Sequence, residues 1–135
     1  MNRIALLFLF VHVGCSGDST PPIPSATRDF VTNSNGIGTA QLFGIDFRVN
    51  VTSSGATSTS SINANLVEAD QSSARKRITF GDSIAIQLDS VDESMVSFSL
   101  NDRDYGKLNV GDFVEIDEDG KVKVNGVPRS PSSAE

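Results

Sequence analysis

The sequence predicts an all-β protein: a small antiparallel sandwich or barrel of about seven to nine short strands, preceded by a signal helix and a disordered tether. Three observations carry that prediction. Apolar Phe43, Ile45, Phe47, Val49 and Val51 alternate with polar or small Gly44, Asp46, Arg48 and Asn50, the period-two pattern of a strand with one buried face. Short runs of similar character follow at regular intervals, separated by Gly-Asp, Asp-Glu, Asn-Asp and Asp-Gly turn signals. The 135 residues are 38% hydrophobic, and the stretch 30–128 is long enough to enclose one core without disulfides.

From the amino end, Arg3 precedes a nearly unbroken apolar run from Ile4 to Val13. Such a run is too short to span a bilayer, which takes about 20 apolar residues, but suits the core of a cleaved secretory signal, which takes about 7 to 15. Residues 1–14 are therefore expected to be a signal peptide. Residues 15–29 contain three prolines among small polar residues and read as a semi-extended linker. Residues 129–135, Arg-Ser-Pro-Ser-Ser-Ala-Glu, have the same composition and read as a disordered tail.

Within the body, strands are expected at Phe43 to Val51, Arg77 to Phe80, Ser83 to Asp89, Ser94 to Leu100, Tyr105 to Val110, Phe113 to Asp117 and Lys121 to Asn125. Thr52 to Ser61 is rich in Ser and Thr and reads as an exposed loop. Ser61 to Gln71 fits either strand or helix spacing; its Asn-rich composition favours strand. Two hairpins can be registered from side-chain matching. With Glu118-Asp119-Gly120 as a three-residue loop, Val114 meets Val124 and Ile116 meets Val122 on one face, while Glu115 meets Lys123 and Asp117 meets Lys121 on the other. The second hairpin sets Ile84 against Leu100, Ile86 against Phe98 and Leu88 against Val96. Ile78 to Ile86 and Leu108 to Ile116 also echo one another as strand, Gly-Asp turn, strand, which is read either as duplication or as reuse of a common turn.

The segment Val11-His-Val-Gly-Cys15 resembles the lipobox of bacterial lipoprotein precursors, with small Gly14 before the cysteine and aliphatic Val13 before that; His12 stands where the pattern has an aliphatic residue. The resemblance covers the first 15 residues. It implies cleavage between Gly14 and Cys15, acylation of Cys15 as the mature amino terminus, and attachment to the cell envelope; Ser16 in the next position implies outer-membrane sorting. The alternative is an ordinary secretory signal and an unanchored periplasmic or secreted protein. Acylation would also dispose of a lone thiol in an oxidising compartment.

Cleavage there removes the chain's only His and leaves its only Cys at the terminus, with ten basic against 17 acidic side chains. A body with neither imidazole nor an interior thiol cannot build a Ser-His-Asp triad, a Cys-His dyad or a His/Cys zinc site. The acidic balance argues against nucleic acid, whose phosphates call for clustered Lys and Arg. Glu115, Asp117 and Asp119, followed by Gly120, resemble the start of a calcium loop, but Gly126 falls where a bidentate Glu is needed. No metal and no cofactor are expected. A hydrolase using paired carboxylates is the one familiar enzyme class that the residues permit; the other acids, including Asp102, Asp104, Asp112 and Glu118, all sit at turn signals, where Asp bonds locally. Asn35-Gly-Ile-Gly38 reads as a turn, Arg75-Lys76-Arg77 as a solvated basic cluster, and Tyr105 and Phe113 as core. The expectation is therefore a lipid-anchored, non-catalytic binding or scaffolding β module, with an envelope protein or a polysaccharide as partner.

Overall fold

In the computed structural model, residues 22–25, 29–51, 55–63 and 72–133 are described. They contain no helix. Eleven strands run in chain order: β1 (Phe30–Ser34), β2 (Ile37–Leu42), β3 (Ile45–Asn50), β4 (Ala56–Asn63), β5 (Ser73–Phe80), β6 (Ile84–Ser90), β7 (Met95–Leu100), β8 (Arg103–Asn109), β9 (Phe113–Ile116), β10 (Val122–Val124) and β11 (Val127–Arg129). The expectation of seven to nine strands is too low. The extra strands are β1, β2, β4 and β11, which lack the dense apolar alternation that marked the others.

The strands form two sheets, one ordered β1-β2-β3-β9-β10-β11 and the other β4-β5-β6-β7-β8. Their apolar faces meet. Phe47 on β3 and Phe98 on β7 approach with ring centroids 5.9 Å apart, tilted 56°, and Gly38 on β2 lies directly under the Phe80 ring of β5. The margins are stitched together. Asn33 Nδ2 donates to the Gly55 carbonyl on one side, and Arg129 Nη1 donates to the Lys107 carbonyl on the other. The buried cluster draws on both inner faces, and Ile23 from the linker packs against it.

Pairing is antiparallel except between β3 and β9, which run parallel with Phe47 beside Val114 and Val49 beside Ile116. The all-antiparallel expectation fails there because β3 and β9 are joined through the whole second sheet, not by a hairpin. The β9–β10 hairpin has the expected register, Val114 opposite Val124 and Ile116 opposite Val122, and Gly120 adopts the left-handed φ of 75° that its loop requires. In the β6–β7 hairpin the register differs by two residues: Ile86 faces Leu100 and Leu88 faces Phe98, while Ile84 pairs with Phe80. A slide of two keeps every side chain on its own face, so apolar matching cannot detect it. The loop decides. Asp92 Oδ1 accepts from both the N–H and the hydroxyl of Ser94, closing a tight turn at Val91 to Ser94 and extending both strands towards it.

The Ser/Thr-rich segment expected as a loop is largely β4, paired with β5 from Ala56 opposite Phe80 to Asn63 opposite Ser73. Ser61 to Asn63 therefore end a strand, and 64–71 lie outside the described residues. Asn35-Gly36 is a turn as read, but Gly38 belongs to β2. Phe43 is not a strand residue. With Gly44 it forms the two-residue turn between β2 and β3 at φ 51° and 72°, an uncommon conformation for a bulky residue. The echo between Ile78–Ile86 and Leu108–Ile116 is one of sequence only: the first copy is a hairpin within one sheet, whereas the second passes from β8 to β9 in the other sheet.

Candidate functional site

β5 reads Ser-Ala-Arg-Lys-Arg-Ile-Thr-Phe, and its alternation places Ala74, Lys76, Ile78 and Phe80 on the inner face. Lys76 is thus carried into the core margin, where it is 8% exposed. Its ammonium lies 4.3 Å from the centroid of the Phe43 ring and forms an ion pair with Asp29 Oδ2. The other oxygen of Asp29 accepts the N–H of Phe43 at 3.2 Å. One carboxylate therefore holds both the left-handed turn and the buried cation. Burial pushes the Lys76 amine below its ordinary range, because desolvation disfavours the charged form; the carboxylate and the ring face oppose that effect.

The pair sits in a crevice of about 400 Å³ between the edge strands β1 and β4, lined also by Phe30, Val31, Leu42, Ala56, Ser58 and Ser60. Arg75 and Arg77 flank Lys76 on the outer face. Arg75 pairs with Asp89, and Arg77 lies 3.5 Å from Asp102. The basic triplet is therefore one buried cation between two partly exposed ones, each facing an acid. The signal for this was present in the sequence: extending the strand back from Arg77 puts Lys76 in phase with Ile78.

The second candidate is a shallow depression of about 290 Å³ on the outer face of the six-stranded sheet, lined by Arg48, Asn50, Glu115, Asp117, Lys121 and Lys123. In register, Arg48 stands beside Glu115, and Glu115 stands opposite Lys123, so basic and acidic side chains alternate across three strands. The segment that resembles the start of a calcium loop lies at its end. Asp117 Oδ1 accepts the N–H groups of Asp119 at 3.0 Å and of Lys121 at 2.8 Å, and Lys121 pairs with Asp119 at 3.5 Å rather than with Asp117. Among the described residues no three acidic, His or Cys side chains are grouped as a metal ion would require; Asp117 caps the hairpin turn, Glu115 stands opposite Lys123, and Asp119 meets Lys121.

Other turn acids are used in the same way. Asp92 serves the N–H of Ser94, Asp104 that of Gly106 and Asp112 that of Asn109. These bonds hold the Asp92 carboxyl below its usual range. Tyr105 is core, in contact with Phe98 at 5.6 Å, whereas Phe113 is 39% exposed and not core as expected; as the first residue of β9 it falls on the outer face. β11 reaches Arg129, and the N–H of Ser132 donates to the Asp104 carbonyl, so the segment expected as a tail begins against the body. Gly14 and Cys15 lie outside the described residues. Comparison with protein-family models, curated proteins and solved structures finds no match to this chain.

Proposed function

We propose that the chain is a lipid-anchored protein of the cell envelope, cleaved after Gly14 and acylated on Cys15, whose β body is a non-catalytic module that binds or scaffolds an envelope protein or a polysaccharide. The observation that carries the non-catalytic reading is the use made of the carboxylates. Asp92, Asp104, Asp112 and Asp117 each accept backbone N–H groups in their own turns, whereas paired-carboxylate hydrolysis needs two acids converging on a substrate cleft. The alternating charged depression around Arg48, Glu115 and Lys123 suits a polar partner. The anchor rests on the N-terminal segment: several acyl chains give stable attachment where one does not.

Fractionation tests the anchor. Wild-type protein is expected in the membrane pellet and labelled by fatty acid, and Cys15→Ser in the soluble fraction without label. A Cys15→Ser protein that still pellets refutes the anchor; a soluble, unlabelled wild type favours the secreted alternative. Cross-linking in the native envelope tests the module, with capture of an envelope protein or polysaccharide expected and only self-contacts refuting it.

A further inference from the structure

The two ends of the body differ in chemistry. Strand directions place the start of β1, the Phe43-Gly44 turn, the Val91–Ser94 loop, the β8–β9 connection and the Asn125-Gly126 turn together at one end. Hydrogen bonds knit this rim: Phe43 N–H to Asp29, Gly111 N–H to the Gly44 carbonyl, Val110 N–H to the Ser94 carbonyl and Asn125 N–H to the Phe113 carbonyl. Among the described residues seven large apolar side chains are exposed, and six of them, Phe30, Ile62, Val91, Val110, Phe113 and Val127, are at this end, 39% to 68% exposed; Ile37 alone is at the other. The opposite end carries Asp82, Asp102, Asp104, Asp117, Glu118 and Asp119 against Arg103 and Lys121, an acidic excess. Scattered surface apolar residues are ordinary, but segregation to one end is not.

Three further facts say what covers the rim. The chain joins the body there, at Asp29 and Phe30. Ile23 packs against the core, leaving about seven residues, roughly 22 Å when extended, between the body and Cys15. Of the described rim acids, Asp92 and Asp112 are turned onto loop N–H groups, Asp46 accepts from Gln41, and Glu93 and Asp46 are the exposed ones. We propose that this rim rests on the lipid bilayer that holds the Cys15 acyl chains, with the acidic end directed away. The proposal rests on the anchor reading given above.

Acylation consumes the native thiol, so one introduced cysteine can be labelled alone. Full-length lipidated Val91→Cys and Ser83→Cys proteins, carrying an environment-sensitive fluorophore, would be reconstituted in phosphatidylethanolamine and phosphatidylglycerol vesicles containing a spin-labelled quencher lipid. The expected result is at least about twofold quenching at position 91 and none at position 83. Val127→Cys supplies a second rim position should Val91→Cys misfold. Protein that sediments with vesicles but is quenched at no rim position, or equally at both ends, overturns the orientation and leaves the anchor standing. Protein that carries no fatty acid and does not sediment overturns both.

Discussion

At Gly38 one sheet lies against the Phe80 ring of the other with no room for a side chain, and replacing it with Ala tests their packing directly. A Cβ built there would lie 2.5 Å and 2.6 Å from Cδ1 and Cε1 of Phe80 and 3.1 Å from its Cγ. Carbon atoms in contact prefer about 3.5 to 4.0 Å, so the ring would have to retreat by about 1 Å. Phe80 is fully buried and has nowhere to go. Overpacking of this kind costs about 1 to 3 kcal/mol. The sign is informative, because Gly→Ala in an unstrained extended strand otherwise stabilises by about 0.4 to 1 kcal/mol through the unfolded chain. Gly38→Ala is expected to lower the thermal midpoint by about 10 °C, taking about 2 kcal/mol of destabilisation in a body of this size. Phe80→Leu should relieve the clash, so that Gly38→Ala in that background costs at least about 1 kcal/mol less than in the wild type. Scanning calorimetry on the four proteins of the cycle measures both quantities. A Gly38→Ala protein as stable as the wild type, or strictly additive effects, would refute the close approach of the sheets.

Removing Asp29 should do more harm than removing its partner. Asp29→Asn strands a buried ammonium and is expected to cost about 3 kcal/mol, whereas Lys76→Met exchanges it for an apolar side chain of similar length and should cost less than half of that in a denaturant titration; the reverse order would show that the pair is not desolvated. The Asp92 carboxyl lies below the ordinary aspartate range in the folded state, held there chiefly by the Ser94 N–H, so its contribution is fully present above the unfolded value and is lost as pH falls through the folded one. The difference in melting temperature between the wild type and Asp92→Asn should accordingly shrink between pH 6 and pH 2, and a constant difference would assign the stabilisation to something other than the charge.

Strands with strict alternation were legible, and β3, β6, β7 and β9 fall close to where the apolar pattern puts them. The β9–β10 register was legible too, because three matched pairs and a Gly loop agree on it, although Lys121 turns to Asp119 instead of Asp117. β4 was hidden by its composition: Ala56 to Ile62 are exposed throughout, so no apolar period marks them, and their order comes from pairing with β5. Phe43 was misplaced because a Phe in a left-handed turn breaks the usual association of such turns with Gly and Asn. Its position is set by tertiary contacts, with the ring buried beneath Lys76 and the N–H held by Asp29. The strand phase of Lys76 marks it as inward-facing, but the Asp29–Lys76 pair joins residues far apart in the chain, and nothing local names the partner.

The parallel seam between β3 and β9 imposes an order on assembly. The β1–β3 meander comes first in the chain, but the edge of β3 has no partner until Phe113 to Ile116 return to it, roughly 65 residues later. Over that interval Ile45, Phe47 and Val49 belong to a strand whose backbone donors and acceptors are open on that side, the condition that invites pairing with another chain. The five-stranded sheet can close by successive hairpins in the meantime. The last steps are then the return of β9, and with it β10 and β11, to a template made at the start, so a chain ending before residue 113 would hold all strands of the second sheet beside a first one still open to aggregation.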